Sequence, residues 1–579
     1  MSDYVLVAAI DLGTTYSGWA CSFRHEYKTD PKKIFTMQWN TGNHVSLKAP
    51  TTLLIRPDGE TLEAFGYQAE SRYAELADEG KHEDYYYFKR FKLVLHNNME
   101  LTKDTEISDG KGRKLFAMKV FSLSIRYLKD HLVTTVNNRM DGNMAPSDIR
   151  WVLTIPAIWN DKAKQFMRKA AEQAGIDGNL LSLALEPEVA SMFCQLQETV
   201  VVGEGKKSAE MLLKPGDKYM VLDAGGGTVD ITVHEIEKGG RLREVHRATG
   251  GDWGGTKVDD AFAEIMVELI GVKVLKKFKK ENVEDSLEFL RDFELKKRDF
   301  VADKDTRTSL RLPASLGLCL QETEGISLKE KIAKSKFKDD IQISTDKMKI
   351  SASLMREIFK KPVSRIVQHV LEMFEKEDLT GTGTILMVGG FSESDILQKA
   401  IREHFPSKRV ITPFEAGLVV LKGAVVFGHD PNIMRSRVCK YTYGVETTQM
   451  FNPIRHPLDK VVLMNGMPYI VDLFDKHVEI GQTVHCGESQ ASRTYIPLYD
   501  YQQDVAVVVY ASSKKSPMYV TDESCQKLGE IMVHSPNTHV SRYQRRVEVA
   551  LTFSGTELEV RAKEETTGNI TESTIKFLG

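Results

Sequence analysis

Cysteine is scarce in this chain: six in 579 residues, at Cys21, Cys194, Cys319, Cys439, Cys486 and Cys525. None falls in a CxxC pair, so neither a disulfide framework nor a zinc ribbon is indicated, and a reducing, cytoplasmic compartment is the expectation. Long apolar runs are missing as well. Lys422 breaks the best candidate, and no stretch reaches the roughly 18 uncharged apolar residues of a membrane span. Asp3 stands where a signal peptide carries its basic segment, so no leader is expected. Neither sign of charge dominates: 78 Lys and Arg against 81 Asp and Glu leave a net −3, which argues against a nucleic-acid partner and against an acidic tail. The basic helical stretch from Val272 to Arg298 reads as a solvated face on the same ground. No GxxxxGK[ST] phosphate loop, no GxSxG nucleophile turn and no HExxH spacing occurs.

What is present is a pattern that occurs twice. "VAAIDLGTTYSGWA" (7–20) runs an apolar strand into Asp11, then a Gly-Thr-Thr turn. "YMVLDAGGGTVDITVHEI" (219–236) does the same, with Asp223 matching Asp11 and Gly225 matching Gly13. Taken alone, the first stretch is equally an ordinary hairpin with polar turn residues. The echo continues downstream. A strand–turn–helix from Ile149 to Gly175 matches one from Thr384 to Phe405, and "LALEPEVASMFCQL" matches "VITPFEAGLVVLKGA". A chain of this length divides into about three or four domain-sized units. Residues 1 to about 200 and about 215 to 430 therefore read as duplicated α/β lobes. Two such turns facing one another form a cleft that grips a polyphosphate from both sides. The N–H groups of Gly13, Thr14 and Thr15 would take one region, and those of Gly225, Gly226, Gly227 and Thr228 another. Glycine is required because a Cβ blocks that approach. Asp11 and Asp223 would then hold Mg²⁺ through water, since this ion keeps most of its waters.

At this point the residues resemble the 70-kilodalton heat-shock chaperone family, within the actin and sugar-kinase superfamily. "IDLGTTYS" (10–17) and "LDAGGGTVDIT" (222–232) are similar to its two phosphate motifs. "IPAIWND" (155–161) and "LEPEVAS" (185–191) resemble its hinge, and "GGDWGGTKVDD" (250–260) its second phosphate-side loop. "FELKKRDF" (293–300) and "LMVGGFSES" (386–394) resemble the segments that hold adenosine. The resemblance implies catalytic roles around the metal-water shell for Asp11, Glu186, Asp223 and Asp230, and phosphate contacts for Thr14, Thr15, Tyr16 and Gly225 to Thr228. It implies that Gly254, Gly255, Glu294, Lys297, Arg298, Gly389 and Gly390 frame the nucleoside, with Arg298 stacking on adenine.

The departures are specific. By the framing "AFGYQAES" the family's catalytic lysine falls on Glu70, which would set an anion near the γ-phosphate. Lys164, Glu188 and Glu393 stand where the family has arginine, threonine and arginine. This pattern resembles the atypical member-12 branch. From Val438 onward, short alternating runs separated by Gly, Asn and Ser read as a β-sandwich. "TYGVET" and "VEVALTFSGTELEVRAKEETTG" resemble the start and end of the family's substrate domain. The joint "HDPNIMRSRVCKYTYG" lacks an acidic leucine-rich linker and carries Arg435, Arg437 and Lys440, so it is expected not to dock between the lobes.

The expected fold class is α/β: a duplicated actin-like (ribonuclease H-like) two-lobed nucleotide-binding domain followed by a β-sandwich. Lobe I is placed at 1–212, lobe II at 213–430, a linker at 431–443 and a lidless sandwich at 444–579. The expected function is an ATP-binding, chaperone-like, monomeric protein with slow or absent hydrolysis, a weak Mg-dependent ATPase at most. ATP/ADP and Mg²⁺ are its cofactors, and unfolded or extended polypeptides and protein adaptors its partners, with a stress-response role. Three alternatives stay open: a pseudo-ATPase scaffold in stress or immune signalling, a sugar kinase, and a plain interaction protein with a vestigial cleft. The β-rich final third disfavours the kinase. Asp11, Asp223 and both glycine turns disfavour the last.

Overall fold

Every residue of Leu6–Leu12 is buried, and so is all but the first of Lys218–Ala224. Strands this apolar need neighbours on both sides and cover on both faces. The computed structural model, which describes residues 4–574 except 41–44, 97, 99, 141, 204–205, 491 and 555–556, supplies both. Leu6–Leu12 lies antiparallel to Tyr16–Phe23 and parallel to Ile149–Ile155, which pairs in parallel with Leu181–Leu185. The second sheet repeats the order. Lys218–Ala224 lies antiparallel to Val229–Ile236 and parallel to Thr384–Val388, which pairs in parallel with Arg409–Ile411. Register is preserved too: Asp11 stands opposite Gly18, and Asp223 opposite Asp230.

Each sheet has its own apolar core on the outer face. A third core lies between the sheets, where the helix Glu186–Gln195 packs on its duplicate Ala416–His429. The two cross backbone on backbone. A Cβ at Gly423 would stand 1.8 Å from the Val189 carbonyl oxygen, so only glycine permits this crossing. The helix Asp161–Gln173 begins one residue earlier than its Asp161 suggests, because the Asn160 side chain accepts the Ala163 N–H at 2.9 Å.

Past residue 440 the described residues form strands and loops, with a short 3₁₀ turn at Leu458–Lys460. Val462–Met464, Met467–Val478, Thr442–Met450, Asp504–Ser512 and Cys525–His534 form one sheet, and Arg493–Tyr495, Val547–Ser554, Glu557–Glu564 and Ile570–Thr574 another. Alternate residues of both, including Val507, Val509, Val533, Leu551 and Val560, close on one apolar cluster. The joint departs from expectation. Met434–Val438 docks as a strand, parallel to Leu242–Gly251 of the second lobe and antiparallel to Thr483–His485 beyond it. Its basic residues are what hold it. Arg437 makes a bidentate pair with Glu188 at 2.7 and 2.5 Å, the Val438 N–H donates to Glu244 at 2.8 Å, and the Lys440 ammonium donates to the Ile158 carbonyl. The Glu188 that departs from the family pattern is thus the counter-charge of a departing joint.

Candidate functional site

The two strand-ending turns face each other at the mouth of a cavity of about 560 Å³ between the lobes. A larger groove of about 700 Å³, around Arg126, Tyr127 and His131, carries neither turn. In the first lobe, Thr51 fixes the turn by donating its hydroxyl to Gly13 O at 2.7 Å and its N–H to Thr15 O at 2.8 Å. A Cβ on Gly13 would meet Tyr16 O at 2.2 Å, which explains the glycine. In the second lobe, the Gly225 N–H closes the turn on Thr228 O at 3.0 Å. Gly254, Gly255 and Thr256 donate their N–H groups to the carbonyls of Gly227, Gly225 and Gly226 at 3.1, 3.0 and 2.8 Å. Gly254 therefore buttresses the turn from behind and does not line the cavity, whereas Gly255 does. The turns touch. Ideal Cβ atoms on Gly226 and Gly227 would lie 2.0 and 2.5 Å from the Thr15 and Thr14 hydroxyls.

Asp11, Gly13, Thr14, Thr15, Tyr16, Glu186 and Gly225 to Thr228 line this cavity, as do Glu294, Lys297, Arg298, Gly389 and Gly390. Asp223 lies behind Gly389, where a Cβ would stand 2.4 Å from its Oδ1. Asp230 is buried and accepts the Ile158 N–H at 2.9 Å. At the far end, the Arg298 guanidinium stands 4.6 Å from the Tyr16 ring centroid and donates to Glu294 at 2.6 Å. Lys297 pairs with Asp259, and Glu393, in place of the family's arginine, accepts the Gly417 N–H at 3.0 Å.

Glu70 does not line the cavity. Its carboxylate pairs with Arg291 of the opposite lobe and with Lys89 at 3.3 Å. It is a tie across the lobes. Arg90, whose backbone has a left-handed φ of 54°, makes a second tie to Asp259 at 2.7 Å and Asp260 at 3.2 Å. The cations of the cavity beside the turns are instead Lys48 and Lys92, which residue-type reasoning passed over. Lys48 Nζ lies 2.6 Å from Asp11 Oδ2, and Lys92 Nζ 3.0 Å from Glu186 Oε1 and 5.1 Å over the Trp159 ring. The one available signal was a lysine inside the apolar run Phe91-Lys92-Leu93-Val94-Leu95.

These pairings divide the carboxylates. Burial raises the Asp11 pKa, but Lys48, Lys92 and the hydrogen bonds from Lys48 and Thr154 outweigh it and hold the carboxyl below its ordinary range. Asp223 is pushed well above its ordinary range by burial, then by the charges of Glu186, Asp230 and Asp11. Asp230 is raised to about 7 by burial and Glu186, and Glu186 itself is raised mainly by burial. Among the described residues no group of three or more His, Cys, Asp or Glu forms a direct metal cage. Carboxylates that crowd one another without a cation fit a divalent ion held through its own waters, the habit of Mg²⁺. Asp223 and Asp230 lie in this crowd with Asp11, one of whose oxygens is taken by Lys48.

Comparison with known proteins gives the family. The family described as Hsp70 protein matches residues 102–577. Heat shock 70 kDa protein 12A of Mus musculus is 32% identical, over 99% of this chain and 92% of its own length. Heat shock 70 kDa protein 12B of Homo sapiens is 31% identical, over 100% and 92%. The chain is also similar to heat shock protein hsp-6 of Caenorhabditis elegans, 27% identical over 76% of this chain and 60% of that protein.

Proposed function

Because the chain belongs to the Hsp70 family, a family of nucleotide-binding proteins with an actin-like two-lobed fold, we propose that it is an ATP-binding, chaperone-like protein with slow or absent hydrolysis. The observation that carries this reading is the pair of matched turns, each following a strand with aspartate next to its end and opening on glycine, set face to face over one cavity. Lobe I runs to 212 and lobe II to 430; a linker spans 431–443, and a β-sandwich for polypeptide partners follows. ATP or ADP sits with its phosphates toward the turns and its base toward Arg298. Mg²⁺ would be held through water by Asp11 and Asp223, with Asp230 nearby, and would offset phosphate charge. The chain's own residues orient the phosphates by backbone N–H groups and exclude water by closing the lobes over them.

Slow turnover is inferred from Glu70. A cation facing the developing charge typically contributes about 10²- to 10³-fold in rate; the position that the resemblance gives to it holds Glu70, tied here to Arg291, and Lys48 and Lys92 beside the turns are each engaged by a carboxylate. A pseudo-ATPase scaffold is the second reading, favoured by this same tie. Polypeptide binding is supported by exposed Met450, Ile454, Leu458, Val462, Leu463 and Met467 around the edge strand Val462–Met464, where an extended segment can add by main-chain hydrogen bonds. Calorimetric titration of the full chain with ADP and ATP, with and without Mg²⁺, tests the proposal. Mg²⁺-dependent binding heat is expected, and no heat at millimolar nucleotide overturns it. Single-turnover hydrolysis then separates slow enzyme from scaffold.

A further inference from the structure

A smaller cavity, of about 310 Å³, opens in the seam between lobe II and the sandwich and shares no lining residue with the cleft between the lobes. Residues 247–249 of the strand Leu242–Gly251 form one wall, Tyr441, Ile480 and Ser513 form the other, and Lys440 stands at the join. No carboxylate lines it. Among the described residues no Asp or Glu forms an ion pair with Arg247 or Lys440. The exposed Arg247 guanidinium has no hydrogen-bond partner there either, and Lys440 has one, the Ile158 carbonyl. The Asp161 carboxylate, whose charge reaches Lys440, is taken on one oxygen by Lys164 and on the other by the Tyr443 hydroxyl, each at 3.1 Å. Burial first, then the Lys164 charge, draws the Lys440 pKa down to about 8, with Arg247 adding to this against the pull of Asp161 and Asp230. The Thr249 hydroxyl is bonded to His369 at 3.0 Å, whereas the hydroxyls of Tyr441 and Ser513 have no partner among the described residues. The uncommitted side-chain groups of this pocket are two cations and two hydroxyls.

We propose that this pocket binds a small anion, inorganic phosphate or a phosphate monoester, held between the Arg247 guanidinium and the Lys440 ammonium. In the cleft between the lobes carboxylates crowd one another without a cation; in the seam cations crowd one another without an anion. A guanidinium presents a planar fork of N–H donors that matches two phosphate oxygens, and an ammonium bonded to one carbonyl keeps two donors free. The Tyr441 and Ser513 hydroxyls can donate to the oxygens that remain. The volume lies at the small end of ligand pockets and fits a compact anion. Since one wall belongs to lobe II and the other to the sandwich, a bound anion ties the two together, and whatever parts them weakens its hold by the same factor. The site stands whether or not nucleotide binds in the cleft, because the two have no residue in common.

The test uses the full chain in saturating MgADP, titrated by calorimetry with inorganic phosphate and, at matched ionic strength, with chloride. Heat from phosphate and none from chloride is expected. Arg247→Gln changes an exposed residue outside the cleft; it is expected to weaken phosphate about tenfold or more and to leave MgADP binding unchanged. Arg247→Lys is expected to recover only part of the loss, since lysine keeps the charge and lacks the fork. Hydrogen exchange then locates the site. Phosphate is expected to slow exchange across 245–249 and 440–442 in the parent chain and not in Arg247→Gln. No heat at millimolar phosphate, binding that Arg247→Gln leaves intact, or protection confined to the glycine turns overturns the proposal. Glycerol phosphate, titrated in the same way, separates the two sources: tighter binding than inorganic phosphate assigns the pocket to an ester, weaker binding to the free ion. A chain that takes up phosphate at Arg247 but no MgADP overturns the nucleotide reading alone and supports this one.

Discussion

The two glycine turns are the same structure twice over, yet their aspartates live in opposite electrostatic surroundings. Asp11 and Asp223 are each the last residue but one of a buried strand, pair in the same register with the returning strand and precede a turn that needs glycine. Asp11 has Lys48 at 2.6 Å and the Thr154 hydroxyl at 2.8 Å, and its carboxyl is held low. Asp223 faces Glu186, Asp230 and Asp11, and its carboxyl is held high. Duplication thus repeated the backbone and left the charge free to diverge. One half carries its cation covalently, on the chain, and the other half is suited to take one from solution.

The sharpest way to break this comparison is to remove the built-in cation. Lys48→Met leaves Asp11 buried without a counter-charge and should cost about 3 to 5 kcal/mol in urea unfolding at pH 7; a loss under about 1 kcal/mol would mean that Asp11 does not depend on it. A second test asks whether lack of a dedicated cation raises a buried carboxyl elsewhere too. Glu244 is pushed up to about 7 mainly by burial, while the nearby Arg437 is committed to Glu188. Its folded pKa lies above its unfolded one, so the folded form keeps the proton that the unfolded form releases. Stability present below about pH 4.5 is then lost as the pH rises to about 7. Glu244→Gln removes that loss. The variant should gain up to about 3 kcal/mol on the parent chain between pH 4.5 and pH 8, and parallel stability curves would refute the assignment.

The same substitution in the two halves should then have opposite signs. At pH 8 without nucleotide, Asp11→Asn should destabilise by about 1 to 3 kcal/mol, because Lys48 loses a charged partner. Asp223→Asn should stabilise by a comparable amount by relieving repulsion, and should abolish any rise in melting temperature caused by Mg²⁺. Matching signs would erase the distinction. The smallest effect expected is at the lobe tie. Glu70→Gln should cost about 1 kcal/mol or less, since Arg291 and Lys89 are each about a third exposed. Glu70→Lys restores the residue that the family resemblance implies at this position, but it places a cation against Arg291 and Lys89 and should speed nucleotide release without raising single-turnover rate. Stopped-flow release of a fluorescent nucleotide checks this.

The turns were legible in the residues because their requirements are local: a strand, a carboxylate, glycine where a Cβ collides. The lysines were not. Lys48 is 37 positions from Asp11, and Lys92 is 94 from Glu186, so their pairing is decided by distance in three dimensions and by no short motif. Glu70 was read as facing the phosphates, yet its direction depends on Arg291, 221 positions away. Gly254 reads as part of a nucleoside frame, but its N–H is spent on the Gly227 carbonyl. The joint shows the same limit. Arg437 and Glu188 each stood out separately as departures, and only the fold shows that they are one interaction.

The contact between the Thr14–Thr15 and Gly226–Gly227 turns has a kinetic consequence. On the nucleotide-binding reading proposed above, a phosphate bound for a seam already closed by hydroxyls against glycine has to enter while the lobes stand apart. Capture then waits on a gate whose frequency belongs to the protein, and the observed binding rate should climb with nucleotide concentration only until it equals the frequency of opening, then level off. Loosening the ties at Glu70 and Arg90 should lift that plateau, leaving the initial slope set by collision and by the fraction of time the gate is open.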